Sequence, residues 1–264
     1  MTPIGEPFKG LFKGKCVLVT GASMGIGLAI AKAFARGGAD LAILAENEAI
    51  YSAADEIAAE TKEPAAVFRC DIADQAAVAE AIGSLARVDA LINIAGYQPA
   101  TPIFDPSTEV DADFRRTMDI NVTGTWYVTR EAVKRMGSGG KIVFTSSIWG
   151  KTAAAKFAGY VASKHATIGL MRSLAVELAP KGINVNAVCP GWVKTEGALW
   201  TMREEAKALG KTIDEYIGES LAWLPIPGMM EPEALAPMYL FLASELARDI
   251  TGQAFNVDRG SFFG

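Results

Sequence analysis

Tyr160 and Lys164 stand four residues apart in Tyr160-Val-Ala-Ser-Lys164, a spacing that brings two side chains onto one face of a helix. A neighbouring ammonium favours the ionised form of a phenol, whose ordinary pKa is about 10, and so draws Tyr160 toward proton exchange near neutral pH. Ser147, upstream, could hold a substrate oxygen beside that phenol. A second group is Thr20-Gly21-Ala22-Ser23-Met24-Gly25-Ile26-Gly27, which follows the apolar run Cys16-Val17-Leu18-Val19 and opens the helical pattern Ile26, Ala29, Ile30, Ala33, Phe34. A strand, a glycine turn and a helix in that order let backbone amides and a helix N-terminus meet a pyrophosphate. The spacing departs from G-x-G-x-x-G, and glycines in such a turn can serve the turn alone. The company of Tyr160 and Lys164 is what favours the phosphate reading.

These residues need a scaffold, and strands alternate with helices along the whole chain. Apolar runs at 16–20, 41–44, 66–68, 90–94, 141–145, 184–188 and 254–257 read as buried parallel strands. Helical patterns at 26–36, 49–61, 75–86, 113–136, 157–179 and 232–242 fill the gaps. The expected fold is α/β: a doubly wound, parallel, seven-stranded sheet with helices on both faces, in one domain over 1–264. The stretch 191–230 departs from this rhythm and is expected to form a substrate lid.

The chain of 264 residues is 50% hydrophobic and 21% charged, enough to bury a substantial core. Its 25 Lys and Arg against 30 Asp and Glu, net charge −5, argue against a nucleic-acid partner. Met1-Thr-Pro-Ile-Gly-Glu-Pro-Phe lacks the basic start and apolar core of a secretory signal, and no apolar stretch reaches spanning length, so no membrane partner is expected. Cys16, Cys70 and Cys189 have no C-x-x-C spacing and read as buried, reduced thiols of a cytoplasmic protein, with no metal site.

Three further elements follow in order: Asn93-Ile94-Ala95-Gly96, Asn121-Val-Thr-Gly124, and Pro190-Gly191-Trp192-Val193-Lys194-Thr195. Together with Thr20–Gly27, Ser147, Tyr160 and Lys164, they resemble the short-chain dehydrogenase/reductase family from about Leu11 to the C-terminus. The resemblance implies a Rossmann-like fold and reversible hydride transfer between a nicotinamide cofactor and a secondary alcohol or ketone, with Asn121, Ser147, Tyr160 and Lys164 as the catalytic set. It implies that Lys164 also bonds the nicotinamide ribose, and that Asn121 holds a water linking Lys164 to solvent. Carried over residue by residue, the cofactor contacts are Gly21, Ser23, Met24, Gly25, Ile26, Gly27, Asn93, Ala95, Gly96, Tyr160, Lys164, Pro190, Gly191, Val193 and Thr195. Asp71-Ile72 resembles the family's adenine contact, although Asp71 could equally cap the following helix. No metal is required, and His165 points about 100° from Lys164 around the helix, which marks it as structural.

Glu46, at the end of the second strand, falls where a carboxylate would accept bonds from the adenosine ribose hydroxyls and repel a 2′-phosphate. The family's NAD-binding members usually carry the acid one place earlier, where this chain has Ala45, and Glu46 could instead be merely solvated. Neither Met24 nor Ala45-Glu46-Asn47 offers a basic clamp for a 2′-phosphate, so NAD is expected. Two other departures are Ile94, where the family often has a second Asn, and Arg259, which interrupts the common Asp-Gly-Gly as Asp258-Arg259-Gly260. The first bears on a backbone bridge in the sheet, the second on a subunit contact.

For the substrate, Ser147, Tyr97, Gln98, Trp149, Phe157 and Trp192 adjoin the catalytic positions and form candidate walls of large apolar faces and few polar tips, with core packing as the alternative. Such walls suit a ring, and Lys151 or Lys194 could attract an anionic group, so a sugar, polyol or hydroxy acid is expected. Two alternatives are an NADPH-dependent 3-oxoacyl-carrier reductase, with Arg130 and Arg172 toward an acidic carrier, and a non-catalytic NAD sensor. Apolar residues on more than one helix face, namely Phe114, Met118, Trp126, Val133, Leu170, Met171, Leu174 and Val176, together with Phe262 and Phe263 and the family habit, point to a homotetramer.

Overall fold

The computed structural model describes residues 8–264; the segment on which the reading of a missing signal rests, 1–7, lies outside them. Seven parallel strands among the described residues run β1 (Cys16–Thr20), β2 (Asp40–Ala45), β3 (Ala66–Arg69), β4 (Ala90–Asn93), β5 (Lys141–Thr145), β6 (Asn184–Pro190) and β7 (Ala254–Val257). Their order across the sheet is β3-β2-β1-β4-β5-β6-β7. β1 is Cys-Val-Leu-Val-Thr and β5 is Lys-Ile-Val-Phe-Thr, rich in β-branched and aromatic side chains that fill both faces of a covered sheet. Chain order reverses between β1 and β4, which opens a crevice at the carboxyl ends of the strands, where sheets of this kind bind ligands.

Two apolar cores lie on opposite faces of the sheet. One gathers Val17, Val19, Ile43 and Ile92 beneath Ile30, Phe34 and Leu240; the other gathers Leu18, Leu44, Leu91 and Phe144 beneath Val78, Val128 and Met171. The covering helices are α1 (Gly25–Arg36), α2 (Ala49–Thr61), α3 (Gln75–Gly83), α4 (Thr108–Met118), α5 (Thr125–Val133), α6 (Ala158–Leu178), α7 (Glu196–Ala208), α8 (Ile213–Ser220) and α9 (Ala236–Leu242). In α6 the buried side chains Ser163, Lys164, Thr167, Ile168, Met171, Leu174, Ala175 and Leu178 recur every three or four residues, so one helix face carries both core and chemistry.

The structure corrects several boundaries. The pattern at 113–136 is not one helix: a π turn, Asp119–Gly124, separates α4 from α5. The pattern at 75–86 stops at Gly83, and the one at 232–242 opens as a 3-10 turn, Pro232–Leu235, because proline is tolerated only in a helix's first turn. Asp74, not Asp71, caps α3, its carboxylate accepting from the amides of Ala76 and Ala77. All three cysteines are free, but Cys16 is half-buried, not buried. Met171 and Leu174 belong to the core, whereas Phe114, Trp126, Val176 and Phe263 are exposed. No helix among the described residues is long and apolar enough to cross a membrane.

Candidate active site

The strand ends position the site. Thr20, the last residue of β1, accepts on its Oγ1 from the amides of Ile94 (3.0 Å) and Ala95 (3.1 Å), joining the glycine turn to the chain leaving β4. A Cβ on Gly21, whose φ is +66°, would lie 2.8 Å from the Ala95 backbone, and one on Gly27 would collide with the Gly21 carbonyl oxygen. Those two glycines let the turn fold tightly under the N-terminus of α1, where Met24 provides no side-chain cap. First-turn amides without a cap are the donors a pyrophosphate needs. On the facing side, Thr195 caps α7 and brings its methyl near Gly25. Gly96 lies beneath Asn121 and Lys164: a Cβ there would come 3.4 Å from Asn121 Oδ1 and 3.6 Å from Lys164 Nζ.

An open cleft of about 250 Å³ continues from Gly96 toward β2, lined by Ala45, Glu46, Cys70, Asp71, Ile72, Ala95, Tyr97, Arg116 and Ile120. Glu46 is exposed at its rim. The tight glycine turn, the uncapped amides and this adjoining cleft together fit a dinucleotide. Arg116 reaches in from α4 to pair with Asp71 at 2.6 Å, and Arg69 donates to the Glu46 carbonyl oxygen (3.3 Å) while pairing with Glu48 (3.1 Å). Neither arginine stood near Glu46 in sequence, so only the fold reveals cations beside the acid. Tyr97 lines this cleft, and its hydroxyl donates to Asp113 Oδ1 at 2.8 Å, a bond that raises the phenol's pKa.

Asn121, Ser147, Tyr160 and Lys164 come from three separate segments, with Tyr160 and Lys164 together on α6. Asn121 sits in the π turn, buried, where its Oδ1 accepts from the Tyr97 amide (2.7 Å) and its Nδ2 donates to the Tyr97 carbonyl oxygen (2.9 Å) and to Ser163 Oγ (2.9 Å). Ser163 in turn donates to the Tyr160 carbonyl oxygen at 2.8 Å, so Asn121 and α6 are tied by one hydroxyl. Lys164 Nζ donates to the Thr145 carbonyl oxygen at 2.9 Å and stands 5.4 Å from the centre of the Tyr160 ring. Thr145 Oγ1 shares a 2.7 Å hydrogen bond with the hydroxyl of the fully buried Tyr239. Ser163, Thr145, Tyr239 and Arg116 carry no motif, which is why sequence reading missed them; Thr20, at the head of the glycine turn, was the visible one.

The expected ionisation of Tyr160 is corrected. Burial pushes its phenol up to about 12, against a downward pull from the hydrogen bond to Ser147, and burial pushes the Lys164 ammonium down to about 8. Desolvation is the largest influence on both groups, and Lys164 Nζ is directed at the Thr145 carbonyl oxygen. Ser147 Oγ accepts from the Trp149 amide at 3.1 Å, which fixes the hydroxyl at the start of a 3-10 turn, Ile148–Gly150.

Trp149 is the hub of an aromatic group. Its ring lies 5.2 Å from Phe157, 5.9 Å from Tyr160 at 84° and 5.8 Å from Trp192 at 88°. Gln98 is exposed. The expected cationic anchors are also corrected: Lys151 Nζ donates to oxygens of Ala254 (2.8 Å) and Gly264 (3.0 Å), and Lys194 pairs with Glu231 at 2.5 Å. Pro190 ends β6, Gly191 packs on Asp258, and Val193 is buried. Asn93 is buried with Nδ2 on Thr129 Oγ1 and without a partner for Oδ1. Ser23 is buried in the glycine turn, where Met24 is exposed and Ile26 half-buried. His165 is exposed, its Nδ1 2.9 Å from the Val161 carbonyl oxygen. Among the described residues no cluster of His, Cys, Asp or Glu could hold a metal ion.

A family model described as enoyl-(acyl carrier protein) reductase matches residues 21–261, covering both the glycine turn and the Ser147, Tyr160, Lys164 group. The chain belongs to the short-chain dehydrogenase/reductase family. Among its relatives, oxidoreductase UcpA of Salmonella typhimurium is 38% identical over 261 residues, covering 96% of each chain. Among solved structures, L-sorbose reductase from Gluconobacter frateurii, complexed with NADPH and L-sorbose, superposes with a TM-score of 0.89 at 28% identity, covering 97% of this chain and 99% of that one. Carveol dehydrogenase from Mycobacterium avium, in complex with NAD, gives 0.87 at 30% identity, covering 96% and 99%. Family membership makes this short-chain dehydrogenase/reductase an oxidoreductase with the Rossmann-like fold.

Proposed function

We propose that this enzyme transfers a hydride between NAD(H) and a neutral secondary alcohol or ketone, with Asn121, Ser147, Tyr160 and Lys164 as its catalytic residues. In the oxidising direction the carbinol C–H bond breaks with its electron pair, the O–H proton passes to Tyr160, and the C=O bond forms. Bound nicotinamide supplies the hydride acceptor. Ser147, fixed by the Trp149 amide, orients the substrate oxygen. Lys164, fixed on Thr145, orients beside the phenol and contacts the ribose, and Asn121 keeps one Oδ1 lone pair for a water on the path to solvent. The observation that carries the reading is the convergence of these four groups with the uncapped α1 amides at one strand-end crevice.

For the cofactor, Glu46 at the cleft rim supports NAD, and the pairing of Arg69 with Glu48 and of Arg116 with Asp71 leaves both guanidiniums already matched to carboxylates. For the substrate, the sugar or polyol class is supported by the likeness to L-sorbose reductase, whereas a hydroxy acid loses its anchors once Lys151 and Lys194 are paired. Residues 191–230 act as a lid, with Met202, Leu221, Leu224 and Met229 forming a small core against Trp192. The enzyme works as a cytoplasmic homotetramer through the exposed faces of α4 to α6 and the C-terminal Phe262 and Phe263. The test is NAD reduction by the purified protein across sugars, polyols, hydroxy acids and cyclic alcohols. Turnover confined to hydroxy acids, or seen only with NADP, would overturn it.

A further inference from the structure

Two sets of aromatic side chains differ in burial. Phe34, Phe144 and Tyr239 are fully buried core, whereas Phe157, Tyr160 and Trp192 each pack on Trp149 and all four remain half-buried. Edge-to-face contact engages an edge of one ring and leaves faces of the group open. Trp149 meets both Tyr160 and Trp192 nearly at right angles, so its ring system forms a corner with the proton-transferring phenol in one wall. Ser147 adjoins that corner through the Trp149 amide.

The polar complement is sparse. Lys151 is turned onto the backbone of β7, Lys194 is paired with Glu231, and Arg259, in the left-handed region at φ 58°, donates to the Pro227 carbonyl oxygen at 2.5 Å. Behind Trp192 the packing is hydrocarbon, from Met202, Leu221, Leu224 and Met229. A corner of ring faces with two hydroxyls at its apex matches a flat apolar face bearing one oxygen. It offers few partners for a row of hydroxyls on an open chain.

Resting on the hydride-transfer reading above, we propose that the site recognises ring shape: its substrate is a neutral cyclic secondary alcohol, or the corresponding ketone, whose ring face packs against Trp149, Phe157 and Trp192 while Ser147 and Tyr160 hold its oxygen. Charge and hydroxyl number contribute little to recognition. A cyclic polyol satisfies this requirement through its C–H face, and an open-chain polyol does not.

Matched pairs test the proposal: cyclohexanol against hexan-2-ol, and inositol against an open-chain hexitol, each assayed for kcat/KM with NAD and with NADP. The cyclic member of each pair is expected to win by roughly tenfold or more. Phe157→Leu and Trp149→Ala are expected to shrink that ratio toward one. Equal values within both pairs, or an unchanged ratio in both variants, overturn the ring proposal while leaving hydride transfer intact. A second readout is independent of turnover: quenching of the native protein's tryptophan fluorescence by cyclohexanone, compared with hexan-2-one, in the presence of NAD. Should no alcohol be oxidised, the reaction reading fails, and stronger quenching by cyclohexanone still supports the ring site; indistinguishable quenching by the two ketones overturns it.

Discussion

Lys164 Nζ donates to the Thr145 carbonyl oxygen across 2.9 Å, which binds α6 to the end of β5 and aims the ammonium at backbone instead of at the Tyr160 oxygen. Thr145 is itself held by Tyr239 from α9. The lysine is thus a buried cation whose position is set from both faces of the sheet.

Proton balance gives the first prediction. Burial lowers Lys164 from its ordinary 10.5 to about 8, so between those values the unfolded chain keeps a proton that the folded chain has released. Raising the pH through that window therefore favours the fold, by on the order of 3 kcal/mol. Wild type should gain stability relative to Lys164→Met from pH 8 to pH 10 in denaturant melts without cofactor. A pH-independent difference would mean the ammonium is solvated.

Tyr160 has the opposite sign. Its folded value of about 12 lies above the ordinary 10, so the stability it contributes is full below pH 10 and lost as the pH rises toward 12. Tyr160→Phe removes that loss and also removes the transferable proton. We expect turnover to fall at least about a hundredfold while NAD binding, measured by calorimetry, stays nearly intact. Near-normal turnover would exclude Tyr160 as the proton carrier.

Cofactor choice is tested at Glu46. Glu46→Arg removes the acid at the cleft rim and adds a phosphate partner beside Arg69, so the ratio of kcat/KM for NADP over NAD should rise by roughly tenfold or more. An unchanged ratio would place the side chain in solvent with no part in recognition.

Assembly is tested by light scattering at micromolar concentration. Trp126 and Phe114 are more than a third exposed and Val176 is 78% exposed, and a homotetramer should cover them. A monomeric mass would reject the helix interface, and a tetramer unaffected by Val176→Lys would move it elsewhere.

Much of the fold was legible because buried parallel strands read as short apolar runs: 16–20, 141–145 and 254–257 match β1, β5 and β7 end to end. The break at Asp119–Gly124 was not, since its apolar spacing continues smoothly and the extra residue is stabilised by Asn121 bonding to Tyr97 and Ser163, contacts made only in the folded chain. Tyr160 and Lys164 were legible as neighbours, but their protonation was not, because burial is a property of the surrounding packing. Arg116, Arg69 and Tyr239 lay too far along the chain from their partners for spacing to announce them.

The π turn has a consequence for chain length. A straight α-helix through 119–124 would span the same turn with one residue fewer, so the π turn absorbs one extra residue while Val128 and Ala132 stay on the buried face of α5. At Val122 and Thr123, both only half-buried, loss of one residue can therefore be taken up by straightening the turn, without rotating α5. In a scan of single-residue deletions across this helix pair, losses within the turn should be tolerated better than losses within α5, except at Asn121, which bonds Tyr97, and at Gly124, where a Cβ would press on the backbone of Ile72.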